Sequence, residues 1–95
     1  MLSILIPTFN HLTTNLVKDL QLQCLESKII FEIIIYDDAS TDRKVSLENS
    51  KLNKLSNVYY KRNKINIGRS AIRNKLAAVS KYKWLLFIDA DVIPK

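Results

Sequence analysis

Two aspartates near the end of the 95-residue chain have the spacing of a metal-binding carboxylate pair. Asp89 and Asp91 follow the apolar run Trp84–Ile88, and on an extended backbone alternate residues point to the same side. Adjacent carboxylates repel one another unless a cation or proton lies between them, and hard divalent ions prefer oxygen ligands. The spacing alone fits a metal site and a strand-ending acid pair equally well.

A second polar group follows an earlier β-branched run. Asp37 and Asp38 come directly after it, and a carboxylate at a strand end can accept hydrogen bonds from a nucleotide base or a ribose. Ser40 and Asp42 could instead cap a helix, because Ser and Asp are favoured there. Phe9 could stack on a base, although an aromatic residue in such a position is more often part of the core.

A third group surrounds Gly68, the only glycine of the chain. Its place just before a predicted helix indicates a backbone conformation that other residues would adopt only with strain. Arg69 and Arg73 lie four residues apart on that helix, and either could pair with a carboxylate or reach a phosphate. His11 and Cys24 lack the partners that a nucleophile and its base require, so we expect neither to be catalytic.

Alternating apolar runs and helical periodicities indicate consecutive βαβ units. The predicted strands are Leu2–Ile6, ended by Pro7, and Ile29–Tyr36, Val58–Lys61 and Trp84–Ile88; the predicted helices cover Leu12–Cys24, Arg43–Leu55 and Arg69–Val79. Right-handed crossovers then give an α/β fold, a three-layer α/β/α arrangement around a Rossmann-like parallel sheet. With the strand order 3-2-1-4, the exits of the first, second and fourth strands line one crevice.

Composition narrows the class of protein. One glycine excludes the G-x-G-x-x-G and Walker nucleotide-binding loops, and one cysteine excludes an internal disulfide and a zinc cluster. No run is long enough to cross a bilayer, and no secretion signal is visible, so the expected location is cytoplasmic. Between Arg43 and Lys83, twelve basic residues accompany a single acid, Glu48. This excess suits a solvated surface, or attraction to phosphates or anionic lipid; without a known nucleic-acid motif, we expect no nucleic acid partner.

Taken in order, these segments resemble the amino-terminal half of the family 2 glycosyltransferases, enzymes of the GT-A fold that use nucleotide-sugar donors. Ser3–Asn10 is similar to the opening strand that ends in P-x-[YF]-N, and Trp84–Asp91 to the strand that ends in D-x-D. Glu32–Asp42 resembles E-hhhh-D-D-G-S-x-D, with Ala39 in place of glycine. Asn66–Asn74 resembles N-x-G-x-x-x-A-R-N, except that Ile72 separates the Ala and the Arg.

The resemblance implies a nucleotide-diphospho-sugar donor, most commonly a UDP-sugar, and inverting transfer assisted by Mn²⁺ or Mg²⁺. By this resemblance Phe9 lies near the base, Asp38 contacts the base, Asp89 contacts the ribose and Asp91 coordinates the metal, with Asp89 as a second metal ligand. The full set of donor-binding residues expected on this basis is Pro7, Thr8, Phe9, Asn10, Asp37, Asp38, Ser40, Asn66, Gly68, Arg73, Asp89 and Ala90.

The resemblance also implies that part of the enzyme is missing. We expect residues 1–95 to be a single truncated GT-A domain, the donor-binding half, and to be inactive alone. The general base and the site for the acceptor, a saccharide or a lipid-linked molecule, are expected beyond Lys95. Two further expectations concern partners: association with the cytoplasmic face of a membrane through the basic segment, and self-association through an open sheet edge.

Two other functions compete with this interpretation. A phosphatase of the haloacid-dehalogenase type also places D-x-D after an apolar strand and would use Asp89 and Asp91 as nucleophile and acid. In such enzymes, however, the motif normally opens the domain, whereas here it closes the chain. The other alternative is a non-catalytic nucleotide-binding module, which metal-dependent nucleotide binding would distinguish from a transferase.

Overall fold

A parallel sheet with the strand order β3-β2-β1-β4 forms the centre of the fold. The computed structural model describes residues 1–90, with strands β1 (Leu2–Thr8), β2 (Phe31–Asp37), β3 (Val58–Arg62) and β4 (Trp84–Phe87). Helices α1 (Thr14–Glu26), α2 (Arg43–Ser50) and α3 (Arg69–Val79) connect them, with a 3-10 helix over Lys51–Lys54 after α2. The predicted α/β class and strand order are confirmed.

Two apolar layers enclose the sheet because alternate residues of its central strands point to opposite faces. Ile4 and Ile33 pack on one face with Val17 of α1, and the 3-10 helix adds a buried leucine to the same cluster. Leu5 and Ile34 pack on the other face with two buried residues of α3. The predicted three-layer α/β/α arrangement is therefore present.

Strand β1 runs through Pro7 to Thr8, although the sequence predicts that it ends at the proline. In a parallel strand, the N–H and C=O of one residue face the same neighbour, and successive residues alternate between neighbours. Leu5 O accepts a bond from Ile88 N at 3.0 Å and Thr8 O accepts one from Asp38 N at 2.9 Å, so odd-numbered residues face β4. Pro7 therefore faces the side where β4 has already ended, and its missing N–H interrupts no pairing.

The predicted helix Arg43–Leu55 is shorter and divided. Helix α2 ends at Ser50, and the next turn continues as the 3-10 helix. Asn53 in that turn pairs with the backbone of Tyr60 on β3, accepting from its N–H at 2.8 Å and donating to its C=O at 3.2 Å. This contact to the sheet edge fixes the 3-10 turn in place, so tertiary pairing overrides the helical periodicity.

A polar cluster at the amino-terminal edge of the sheet positions β4. Ser3 donates to the carboxylate of Glu32 on β2 at 2.6 Å, and the same oxygen of Glu32 accepts from Lys81 N at 2.5 Å. Ser3 Oγ also accepts from Tyr82 N at 3.1 Å. These bonds attach the turn before β4 to the two central strands, which fixes the register of β4 and hence the position of Asp89 beyond it.

Strand β4 ends the sheet on its open side. Its side chains are largely exposed, with Trp84 at 68%, and no further strand pairs with it among residues 1–90. Self-association through this edge stays a prediction. Within the same residues, none of the helices combines the length and the apolar character that a membrane span requires.

Candidate functional site

The carboxyl-terminal edge of the sheet holds a cleft of about 380 Å³. The exits of β1, β2 and β4 all contribute to its wall, as does the loop before α3. Its lining residues are Pro7, Thr8, Phe9, His11, Asp38, Asn66, Gly68, Arg69, Ile72, Asp89 and Ala90. Parallel strands of a doubly wound sheet place their functional loops at this edge, so the cleft lies where the fold puts binding sites.

Most of the residues expected to bind a donor line this cleft, but four of them do not. Asn10, Asp37, Ser40 and Arg73 are absent from its wall. Three lining residues, His11, Arg69 and Ile72, are not in the expected set. The sequence offers two candidate arginines in α3, Arg69 and Arg73. The register of the helix, which the sequence does not fix, decides which of them lines the cleft.

Asp38 is buried at the cleft and holds the loop before α3 through both carboxylate oxygens. Oδ1 accepts from Ile67 N at 2.8 Å, and Oδ2 accepts from Gly68 N at 2.8 Å. Asn63 Nδ2 donates to Oδ1 at 3.3 Å, and Asn66 Nδ2 donates to the backbone carbonyl of Asp38 at 3.1 Å. Because each carboxylate oxygen has two acceptor positions, Asp38 keeps capacity for a further donor from the cleft.

Gly68 explains why the loop can close on Asp38. Its φ is +88°, a region that residues with a side chain rarely adopt, and it precedes the first residue of α3. This conformation turns the N–H of Gly68 back toward the carboxylate. The N-terminus of α3, which carries partial positive charge, therefore lies beside the carboxylate of Asp38.

Asp37 is fully buried and is the centre of a hydrogen-bond network. Oδ1 accepts from Ser40 N at 2.8 Å and from Ser40 Oγ at 2.5 Å. Oδ2 accepts from the hydroxyl of Tyr60 and, at 3.4 Å, from Ser46 Oγ. Burial, together with the neighbouring Asp37 carboxylate, raises the pKa of Tyr60 well above its ordinary value, so Tyr60 acts as a donor. Asp37 therefore joins the loop after β2 to helix α2 and strand β3.

Asn10 joins the exits of β1 and β2. It adopts a φ of +55°, its backbone N–H donates to Ser40 Oγ at 2.8 Å, and its Oδ1 accepts from the N–H groups of Thr41 and Asp42 at 2.8 and 2.9 Å. Asp42 in turn caps α2, accepting from the backbone at 3.0 and 3.2 Å. The amide of Asn10 thus fixes one strand exit against the other.

Arg73 packs away from the cleft. Its guanidinium carbon lies 4.4 Å from the ring centroid of Phe87 on β4, in the geometry of a cation–π contact. Arg69, one helical turn earlier, is the arginine that lines the cleft. Of the two, Arg69 is therefore the one placed to reach an anionic ligand.

The predicted carboxylate pair is only partly within the described residues. Asp89 lines the cleft, whereas Asp91 lies outside residues 1–90. Within those residues there is no group of three or more His, Cys, Asp or Glu side chains that could hold a metal ion. Cys24 is buried in the hydrophobic core beside the sheet.

Comparisons with known proteins agree with this architecture. The family model described as "Glycosyl transferase family 2" matches residues 3–95. A poly(ribitol-phosphate) beta-glucosyltransferase of Bacillus spizizenii is 34% identical over 98 residues, covering 95% of this chain and 14% of its own length. A chondroitin synthase of Pasteurella multocida is 29% identical over 97 residues, covering 99% of this chain and 10% of its own.

The fold is also found among solved structures. The crystal structure of S. aureus TarS 1-349 in complex with UDP-GlcNAc has a TM-score of 0.75 and 29% identity, and covers 95% of this chain and 26% of that one. TarS 1-349 in complex with UDP gives a TM-score of 0.74. The chain therefore spans between a tenth and about a quarter of these relatives. None of these similarities favours the phosphatase interpretation.

Proposed function

Because the chain belongs to glycosyl transferase family 2, we propose that it binds the nucleotide-sugar donor of an inverting, metal-dependent glycosyltransferase. The observation that carries the proposal is the cleft, where acidic and aromatic residues from three strand exits converge beside the N-terminus of α3. The similar TarS structures contain UDP and UDP-GlcNAc, so a UDP-sugar is the donor we propose.

The chain's own residues would recognise the nucleoside. Phe9 is 42% exposed at the cleft, which leaves part of its ring free to stack on a base. Asp38, held rigidly by the loop before α3, would accept a hydrogen bond from the base, and Asp89 would accept one from a ribose hydroxyl. Arg69 would attract the negatively charged diphosphate. Asn66 and Gly68 shape the wall between them.

A divalent cation, Mn²⁺ or Mg²⁺, suits the donor set of the D-x-D segment, because such ions prefer carboxylate oxygens. Asp91 and Asp89 are the residues we propose as its ligands. When bound, the cation neutralises charge on the departing diphosphate. The chain contributes by fixing Asp89 at the end of a strand whose register is set by the contacts of Ser3 and Glu32.

We assign no general base to this chain. The family's relatives are several times longer, so we propose that the base and the acceptor site lie outside these residues. The isolated chain would then bind donor without transferring sugar to an acceptor. The acceptor stays open between a saccharide and a lipid-linked molecule, and the proposed location is cytoplasmic, in keeping with the free, buried thiol of Cys24.

A thermal-shift titration tests the proposal. The chain is titrated with UDP, GDP, CDP, ADP and dTDP, each with and without Mn²⁺, because a ligand that binds only the folded form raises the unfolding temperature. We expect stabilisation by UDP that requires Mn²⁺ and is lost in Asp91→Asn. Asp19→Asn is the matched control, since Asp19 is an exposed acid of α1 with no described contact.

Each alternative predicts a different result. A shift with UDP that is the same with and without Mn²⁺ would favour the non-catalytic nucleotide-binding module. No shift with any nucleotide, from a chain that melts cooperatively, would contradict donor binding by this chain. Sugar transfer by the isolated chain, assayed as release of UDP dependent on an added acceptor, would contradict the assignment of the general base to another part of the enzyme.

A further inference from the structure

The loop between β3 and α3 exposes two isoleucines, whereas two of its asparagines form hydrogen bonds with Asp38. Ile65 is 74% exposed and Ile67 is 42% exposed, although isoleucine is among the residues most often buried. Their neighbours Asn63, Asn66 and Gly68 bond to the protein instead. We refer to residues 61–69, from Lys61 to Arg69, as the β3–α3 segment.

Hydrogen bonds to Asp37 and Asp38 at the end of β2 fix the conformation of this loop. Asn63 N donates to Asp37 O at 2.8 Å, and the Asn63 side chain bonds to Asp38. Asn66 Nδ2 and the N–H groups of Ile67 and Gly68 also donate to Asp38. With the polar groups anchored at 63 and 66–68, the side chains of Ile65 and Ile67 are held outward. The exposed apolar surface is thus a fixed feature of the fold.

Positive charge surrounds these isoleucines. The segment contains Lys61, Arg62, Lys64 and Arg69 and no acid. The one ion pair within residues 1–90 joins Lys51 to Glu48, so none of these four cations is neutralised by a described carboxylate. Arg62 donates to the backbone carbonyl of Ser40 at 2.8 Å. This bond to a neutral acceptor fixes the position of the guanidinium and leaves its positive charge in place. Apolar side chains within a cluster of cations match the interface of an anionic bilayer, where apolar groups enter and cations meet the headgroups.

We propose that the β3–α3 segment docks this protein on an anionic phospholipid membrane, with Ile65 and Ile67 entering the interface and Lys61 and Lys64 contacting the headgroups. Asn66, Gly68 and Arg69 also line the cleft, so docking here brings the cleft mouth to the membrane surface. If the proposed function holds, the acceptor would then be lipid-linked. The docking itself does not depend on that function.

The opposite edge of the sheet offers a matched control. Lys28 and Ile30 lie just before β2, both are exposed, and Ile30 is 60% exposed. Lys64→Gln/Ile65→Ser and Lys28→Gln/Ile30→Ser therefore make the same chemical changes and the same loss of charge at the two ends of the molecule. Neither pair includes a residue that lines the cleft.

Co-sedimentation with vesicles tests the proposal. The 95-residue chain is mixed with vesicles of phosphatidylglycerol and phosphatidylcholine, or of phosphatidylcholine alone, at low and at high salt. We expect binding only to the anionic vesicles, weaker at high salt, and weakened about tenfold or more by Lys64→Gln/Ile65→Ser. The control pair should change binding by less than about twofold. The nucleotide titration on the same variants reports donor binding separately, so the two proposals can fail independently.

Three outcomes would overturn the docking proposal. The first is no binding of the original chain to anionic vesicles. The second is equal weakening by the two double variants, which would indicate a response to net charge alone. The third is loss of self-association rather than of vesicle binding in Lys64→Gln/Ile65→Ser, measured by light scattering, which would make this segment a protein interface.

Discussion

Replacing Tyr60 with phenylalanine tests whether the buried Asp37 network supports the fold. Oδ2 of Asp37 has two partners, the hydroxyl of Tyr60 and Ser46 Oγ at 3.4 Å. Tyr60→Phe removes the stronger of them and leaves a fully buried anionic oxygen with one long hydrogen bond. Hydrogen bonds to charged groups contribute about 1.5–3 kcal/mol, so we expect a loss of about 2 kcal/mol.

Urea denaturation at pH 7 measures this loss, and the adjacent tyrosine provides the control. The midpoint should fall by roughly 1–2 M with an unchanged m value. Tyr59 is 48% exposed and has no described hydrogen bond, so Tyr59→Phe should alter stability by less than about 0.5 kcal/mol. Equal effects of the two substitutions, or a Tyr60→Phe variant as stable as the original chain, would refute this account of the network.

The pH dependence gives a second test of the same network. The pKa of Tyr60 is raised in the folded protein, chiefly by burial and then by Asp37, so the folded state holds this proton more tightly than the unfolded state. Its contribution is therefore complete below about pH 10 and is lost as the pH rises above that value. The stability difference between the original chain and Tyr60→Phe should shrink above pH 10, whereas a difference independent of pH would contradict the assignment.

Three further substitutions test other parts of the fold by urea denaturation. Gly68→Ala should cost about 1–2 kcal/mol, because φ is +88°. Apart from its two chain neighbours, no described residue lies within 4 Å of the added carbon, so the cost is conformational, and no loss of stability would contradict this account. Asp42→Ala should cost about 1 kcal/mol by removing the cap of α2, and Asp42→Asn should restore most of it. Asn49→Ala should cost about 2–4 kcal/mol, because it leaves the buried N–H and hydroxyl of Thr13 without their acceptor. The carbonyl of His11 would keep only the longer hydrogen bond from Thr8 Oγ1 at 3.3 Å, and a loss below about 1 kcal/mol would contradict this account.

The sheet could be predicted from the sequence because its signals are local. Strands β1, β2 and β4 contain short apolar runs, and β1 and β2 are mostly apolar at consecutive positions, as strands buried on both faces must be. The helical spacing of Ile72 and Leu76 likewise identifies the buried side of α3. Short, right-handed connections allow few topologies for such a chain, and the predicted order 3-2-1-4 is among them.

The contacts inside the site could not be predicted because they join residues far apart in the chain. Tyr60 reaches Asp37 from the next strand, and Ser3 reaches Glu32 from the previous one. A glutamate inside an apolar strand gives no sign that a serine and the backbone of Lys81 will satisfy it. The sequence also does not show which of two adjacent acids faces the cleft. Asp37 is fully enclosed by its hydrogen-bond network, whereas Asp38 lines the cleft.

The position of Asp38 links donor binding to membrane docking. Its carboxylate holds the backbone of Ile67 and Gly68, and it is also the group proposed to meet the base. Asp38→Asn would present an N–H₂ group to one of these backbone N–H donors, so it would release the loop as well as change the cleft. A loss of nucleotide binding in that variant would therefore not identify a contact with the base. Phe9→Ala is the cleaner test, because Phe9 is partly exposed and makes no hydrogen bond to the loop: it should weaken the UDP shift and leave vesicle binding unchanged. Loss of both activities in Phe9→Ala would mean that the two sites are not separate.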